Sequence, residues 1–302
     1  MKQSKVEESG DRRMDYTYYP GCSLTHASKP YDLSTRAVFK RLGLGLHELE
    51  DWNCCGATVY MSVKETVSFA ISARNLALAE RLGRDVVAPC SACYLVLNKT
   101  NRFLHDLPDL NAKVNDALAA AGLSYKGTVR VRHPLEVLVN DLGIEQIAKQ
   151  ATRRLDGLKI AEYYGCQIVR PERGFDDQEF PQTLDTMFAA LGAENVYYPM
   201  KVRCCGGMLM TTANEVAMKL CRDLIECAQG NGADCIVTTC PLCQMNVAAY
   251  QDRLSTRFGK DLHIPVLWFT ELLGIALGLD EKTLGLNIHL EPITDKIMSL
   301  VG

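Results

Sequence analysis

Long apolar runs are missing from this chain of 302 residues. No stretch reaches the ~20 consecutive apolar residues that a membrane-crossing helix needs, so no membrane span is predicted. Met1 to Asp15 is polar and charged, lacks the apolar centre of a secretory leader, and reads as a disordered tail. An excess of one charge is missing too. The 33 Lys and Arg against 36 Asp and Glu leave a net −3, which offers no footing for nucleic acid or an acidic partner. No Pro- or Ser-rich linker divides the chain, so two packed halves are expected rather than two tethered ones. What is present is globular: 47% hydrophobic and 23% charged residues, enough apolar material for two ordinary cores.

Cysteine is abundant, at thirteen residues. Without an export signal the expected location is cytoplasmic. Thiols stay reduced there, so metal or redox chemistry is a better default than disulfides. Ten of the thirteen fall into two sets of five: Cys22, Cys54, Cys55, Cys90 and Cys93, then Cys166, Cys204, Cys205, Cys240 and Cys243. The single cysteine precedes the pair by 31 intervening residues in the first set and 37 in the second. The gap from the pair to the closing C-x-x-C is 34 residues in both. Cys221, Cys227 and Cys235 fall outside the repeat and read as core residues.

The periodicity repeats as well. Strands are predicted at 16–19, 46–49, 85–88 and 128–132, then at 158–164, 195–198, 234–238 and 264–268. Helices are predicted at 31–42, 62–82, from Ser91 through Cys93, at 110–121, from Pro134 and at 144–154. In the second half they are predicted at 181–191, 212–229, from Cys240 and at 270–277. YYPGC (18–22) answers YYGC (163–166), and DVVAPCSAC (85–93) answers DCIVTTCPLC (234–243). The expected fold is α/β: two pseudo-repeated domains, 16–154 and 155–302, each a largely parallel sheet flanked by helices. Every cysteine group follows a predicted strand, so all three groups of a half should emerge at the C-terminal edge of its sheet. Helix starts at that edge suit anionic thiolates.

A lone C-x-x-C fits zinc, a dithiol or nothing. Two of them, each matched to a Cys-Cys-Gly and an earlier Gly-Cys, are far more specific than buried cysteines acting as small hydrophobes. Zinc takes four ligands, as does a cubane cluster, and five are supplied twice. The preference runs from iron–sulfur, to zinc at one site, to a redox dithiol. Gly56, Gly206 and Gly207 permit tight turns or a close backbone approach. Arg203, Lys201, His26 and Lys29 lie near ligand candidates but read first as solvated residues, and His133 reads as a hydrogen-bonding structural residue.

The two motifs, C-x31-CC-x34-C-x2-C and C-x37-CC-x34-C-x2-C, closely resemble the tandem cysteine-rich CCG domains in the B subunit of heterodisulfide reductase. YKGTVRVRH (125–133), NDLGIEQIAK (140–149) and IPVLWFTELLGIALGL (264–279) carry the likeness over nearly the whole chain from residue 16. Cysteine-rich subunits of thiol:fumarate reductase, glycolate oxidase and a class of succinate dehydrogenase share the paired domains. The resemblance implies a noncubane [4Fe–4S] cluster on each set of five cysteines. It implies a disulfide docked between the clusters, each sulfur taking one iron as electrons arrive singly, and two thiols leaving. It also implies two partners: a ferredoxin-like iron–sulfur subunit, because this chain has no ferredoxin-type cysteine run, and a flavin-bearing subunit. Gln167 stands where the methanogen-type protein is expected to have His, and GGMLM (206–210) is less glycine-rich than expected. Both departures leave two substrates open: the mixed disulfide of coenzymes M and B, or, in a B subunit of the bacterial sulfur-oxidation type, a lipoyl- or protein-bound sulfur species with the reaction running oxidatively. The rival expectation is an electron-transfer or scaffold protein whose clusters touch no substrate.

Overall fold

Among the described residues, eight strands form two separate four-stranded sheets in which every pairing is parallel. The computed structural model describes residues 14–57, 59–170, 174–289 and 297–299. The first half runs β1 (Asp15–Tyr18), α1 (Gly21–Thr25), α2 (Lys29–Arg41), β2 (Gly45–Glu48), α3 (Val59–Val63), α4 (Glu65–Glu80), β3 (Val86–Val87), α5 (Ser91–Asp106), α6 (Pro108–Ala119), β4 (Val131–Arg132), α7 (Pro134–Val137) and α8 (Ile144–Gln150). The second runs β5 (Lys159–Tyr163), α9 (Thr183–Ala190), β6 (Glu194–Asn195), α10 (Leu209–Thr212), α11 (Asn214–Gly230), β7 (Cys235–Thr238), α12 (Pro241–Ala248), α13 (Gln251–Phe258), β8 (Val266–Trp268), α14 (Phe269–Ala276) and α15 (Glu281–Leu284). Strand order is β2-β1-β3-β4 in one sheet and β6-β5-β7-β8 in the other. Each chain half therefore starts on an inner strand, steps to one side, then crosses to the other. The reversal leaves a crevice at the C-terminal ends of β1 and β3, and of β5 and β7.

The predicted strands and helices recur with local differences. The helix expected over 62–82 breaks at Lys64 (φ −143°, ψ 76°), and that over 212–229 breaks at Ala213 (φ −143°, ψ 60°). One extended residue at matching places lets the short α3 and α10 turn away from the long helix behind them. Periodicity runs straight through both breaks because Lys and Ala are good helix formers. The helix expected over 144–154 stops at Gln150. Beyond it the amides of Thr152 and Arg153 turn to the Ala276 carbonyl, at 2.9 and 3.0 Å. The strand expected at 128–132 narrows to Val131–Arg132, and α13 and α15 were not expected. Residues 1–13 of the expected tail lie outside the described residues, while Asp15 pairs with Gly45 as the first residue of β1.

The halves exchange helices. All eight residues of α14, FTELLGIA, are buried, as an all-round apolar helix must be, and α14 packs on α2 of the first half. In the mirrored contact α8 packs on α9. Ser34 and Thr270 bridge α2 and α14 through their hydroxyls at 2.7 Å. The one charged residue on α14 is Glu271, whose carboxylate accepts the Trp268 amide at 2.9 Å and meets His289 at 2.5 Å. Burying Phe269, Leu272, Leu273 and Ile275 contributes roughly 1.5–3 kcal/mol each. One hydrophobic core accordingly runs through both halves.

Glu162 is the costly residue of this core. It lies on the inner strand β5, is fully buried, and among the described residues neither carboxylate oxygen finds a partner beyond its own residue. Tyr18, at the matching place in the first half, is satisfied by Asp32 at 2.8 Å. Burial pushes the Glu162 carboxyl up from 4.5 to about 8; the Asp185 carboxylate adds to this and Lys201 opposes it. The folded state therefore holds a proton that the unfolded chain releases above pH 4.5. Stability should fall as pH rises from about 4.5 to 8, by roughly 3–5 kcal/mol. Denaturant titrations across this range should show E162Q without that loss, so the variant is the more stable protein at pH 8.

Candidate functional site

Ten cysteine side chains come together at the facing sheet edges. In the first half Cys22 follows β1, Cys54 and Cys55 follow β2, and Cys90 and Cys93 follow β3. In the second half Cys166, the pair Cys204-Cys205, and Cys240 with Cys243 follow β5, β6 and β7. Cys90 and Cys240 are the N-caps of α5 and α12, with Cys93 and Cys243 in the first turns. Helix starts there favour thiolates.

The contacts form chains. In the first set thiol hydrogen bonds link Cys22 to Cys54, Cys54 to Cys55, and Cys90 to Cys93, and Cys55 lies 3.2 Å from Cys93. In the second set Cys166 bonds Cys204, Cys243 bonds Cys240, and Cys205 lies 3.7 Å from Cys243. The two sets approach each other at Cys90 and Cys240, whose thiols lie near enough to shift each other's acidity. Cys22, Cys54 and Cys204 surface on the outer side, whereas Cys55, Cys90, Cys93, Cys205, Cys240 and Cys243 are buried. Among the described residues no group of three His, Cys, Asp or Glu has the geometry of a single-ion site.

Protons are shared unevenly along the chains. The thiol of Cys22 donates to Cys54, and with Cys55 and the Gly56 amide holds Cys54 down to about 2. Cys166 does the same for Cys204, which with the Gly206 amide falls to about 6. Cys243 and Cys90 hold Cys240 well below the usual thiol value. Their donors Cys22, Cys166 and Cys243 are pushed up in exchange. The first member of each Cys-Cys pair is thus the thiolate of its outer side.

Repeated small devices hold the loops. Tyr19 donates to the Asn53 carbonyl, and Tyr163 to that of Arg203, both at 2.7 Å, so each fixes the residue before a Cys-Cys pair. Gly21 (φ +68°) and Gly165 (φ +72°) leave room for sulfur: a Cβ would stand 3.0 Å from Cys93 Sγ in the first case and 2.8 Å from Cys243 Sγ in the second. Ser72 donates to the Cys55 carbonyl at 2.9 Å, and Cys221 occupies the matching role on Cys205 at 3.3 Å. Cys221 is therefore a core residue with a counterpart, which sequence comparison missed because the counterpart is Ser. Cys235 is buried as expected, but Cys227 is only half-buried. Asn246, also missed, donates from α12 to the Gly207 carbonyl at 2.9 Å and the Cys205 carbonyl at 3.3 Å. The YY preceding each Gly-Cys was the visible signal for Tyr19 and Tyr163.

A cavity opens on the second set, lined by Cys166, Cys204, Cys205, Tyr164, Gln167 and Ser91 among others. The basic residues near the cysteines are occupied elsewhere: Lys201 pairs with Asp185 and Lys29 with Asp32, both at 2.6 Å, and His26 bonds the Cys22 carbonyl at 3.2 Å. Arg203 is exposed. His133 caps α7, as its structural assignment required. Its Nδ1 accepts the Leu135 amide, so Nε2 carries the hydrogen, and burial lowers its pKa to about 4 and keeps the ring neutral.

Known proteins carry the same domains. A cysteine-rich domain model named CCG matches residues 16–98 and again 160–248. A protein of Wolinella succinogenes named 8-methylmenaquinol:fumarate reductase membrane anchor subunit is 36% identical over 90% of this chain and 95% of its own. The B subunit of the ferredoxin/F(420)H(2)-dependent CoB-CoM heterodisulfide reductase of Methanosarcina acetivorans is 34% identical over 89% of this chain and 91% of its own. A protein of Archaeoglobus profundus, named as similar to the heterodisulfide reductase B subunit, is 33% identical over 90% and 94%. The fold recurs in the crystal structure of a hypothetical protein from Helicobacter pylori, with a TM-score of 0.76 and 16% identity; the match covers 93% of this chain but only 52% of that longer one. No helix of the described residues is long and apolar enough to cross a membrane. With both domain copies seated on the two thiol sets, this chain belongs to the cysteine-rich CCG-domain family that includes the B subunit of heterodisulfide reductase.

Proposed function

We propose that this chain is an iron–sulfur subunit of a heterodisulfide reductase-like complex, interconverting one disulfide and two thiols. The observation that carries this reading is the gathering of ten thiols into two alike groups that approach each other at Cys90 and Cys240. The ligands are Cys22, Cys54, Cys55, Cys90 and Cys93 for one noncubane [4Fe–4S] cluster, and Cys166, Cys204, Cys205, Cys240 and Cys243 for the other. Five soft donors strung along a chain suit several irons better than one zinc ion, which wants four donors around a point. When bound, such clusters supply one-electron chemistry at each group. The chain's own residues supply shape. Gly21 and Gly165 keep Cβ atoms away from sulfur, while Tyr19 and Tyr163 hold the Cys-Cys loops in place. Reduction of a disulfide consumes two electrons and two protons and releases two thiols. Access is from the outer side, where Cys22, Cys54 and Cys204 surface. A ferredoxin-like iron–sulfur partner delivers the electrons and a flavin-bearing partner stands behind it.

The Wolinella relative favours a second reading, in which the clusters pass electrons within a quinol-linked reductase and touch no sulfur substrate. Freeze-quenched spectra separate the two. A cluster signal altered by a dithiol or disulfide supports thiol chemistry, and one altered only by quinol supports the second reading.

Anaerobically purified protein should carry about eight irons per chain, on one four-iron cluster per thiol set. C205A should lose about half of that iron, whereas C221S, which copies Ser72, should keep it; equal iron in the two variants would sink the ligand assignment.

Positive φ and the nearby sulfur combine at Gly165, so G165A should cost about 1–3 kcal/mol and deplete iron at the second set. G157A (φ +82°), with nothing within 4 Å of its added Cβ, should lose stability alone.

A further inference from the structure

Two backbone carbonyls face the divide between the halves, and the same two side chains serve both. Pro89 and Thr239 stand one residue before Cys90 and Cys240, the cysteines whose thiols approach each other across that divide. The Tyr31 hydroxyl lies 3.3 Å from the Pro89 carbonyl and 3.1 Å from that of Thr239. His133 Nε2, which carries the ring hydrogen, lies 3.0 Å from the first and 3.3 Å from the second. Ser91 adds a third donor to Thr239, at 3.3 Å.

All three donors come from the first half, and Tyr31 and His133 are fully buried. The arrangement does not repeat. Trp268 holds the place in the second half that His133 holds in the first, each being the N-cap of the helix that follows the last strand of its sheet. Its indole stacks on Tyr31 at 5.4 Å and 3°, and its N–H has no partner among the described residues. Two buried carbonyls brought together by the helix starts behind them would each cost about 1–3 kcal/mol without donors. One donor bridging both removes that cost only while the carbonyls keep their spacing, so the bridge also fixes distance.

We infer that Tyr31 and His133 are positioning residues that set the separation of the two thiol sets by binding the Pro89 and Thr239 carbonyls together. This rests on the proposed function only insofar as that separation matters to a substrate reaching both sets. Neither residue touches the reacting sulfurs. Their effect runs through the loops that carry Cys90 and Cys240.

The test uses the full chain with Y31F, H133L and H133Q. Y31F keeps the ring that stacks on Trp268 and removes only the donor; H133Q keeps an N–H at similar reach. In iron-loaded protein, Y31F and H133L should retain wild-type iron while the magnetic interaction between the two clusters weakens. Disulfide turnover should fall about tenfold to 100-fold in kcat with KM little changed, and H133Q should restore both readouts. In iron-free protein, mild oxidation with diamide removes two electrons and two protons from a thiol pair. Peptide mapping should find the Cys90–Cys240 link in the wild type and less of it in Y31F and H133L. Wild-type values for interaction, turnover and cross-link in both variants would overturn the inference. So would iron loss in Y31F, which would make the residue a folding requirement. Wild-type protein that binds no iron would instead defeat the proposed function, and the diamide arm would still decide the bridge.

Discussion

Parallel pairing gives every strand of a sheet the same direction, and everything chemical in this molecule depends on that constraint. Each loop that follows a strand must open at the same edge. Cysteines 68 residues apart in sequence, Cys22 and Cys90, thus arrive in one cluster of side chains without any unusual backbone between them. The reversal of strand order beside β1 and β5 supplies the crevice. Helix starts at Cys90 and Cys240 bring the closing cysteines to that edge, but the thiolates there, Cys54, Cys204 and Cys240, are held as such by neighbouring thiols. Alternation of proton donor and acceptor along each chain of thiols does the rest, since neighbouring thiolates would repel.

Duplication has left two kinds of residue. Some pairs keep one job in both halves: Tyr19 with Tyr163, Gly21 with Gly165, Ser72 with Cys221. All of them shape a single thiol set. Other pairs have diverged: Tyr18 against Glu162, and His133 against Trp268. The second of these sits where the halves meet. A contact between two copies lies at their shared axis, where identical side chains would compete for the same space, so one copy provides the donors and the other the stacking surface.

Much of this was legible in the sequence because it is encoded in spacing. Cysteine positions, their order after strands, the two sheets and the α/β class follow from periodicity and repeat, and both copies of the domain lie where the motifs repeat. The breaks at Lys64 and Ala213 were hidden because both residues favour helix and each joins a short helix to a long one without a loop between them. Glu162 was hidden because a strand pattern reads its neighbours, not the lack of a partner across the sheet. Tyr31 was hidden for the opposite reason: its partners stand 58 and 208 residues away, and no local pattern carries such distances. Cys221 shows that a repeat can persist in geometry while its residue type changes.

The exchange of helices has a consequence for synthesis. The buried face of α2 is covered by α14 and α15, elements that follow it much later in the chain. The first half therefore keeps a bare surface until those helices have been made, and cannot close by itself. The surface that holds the first thiol set is thus completed only when helices of the second half have packed on it, so the two halves must fold as one unit.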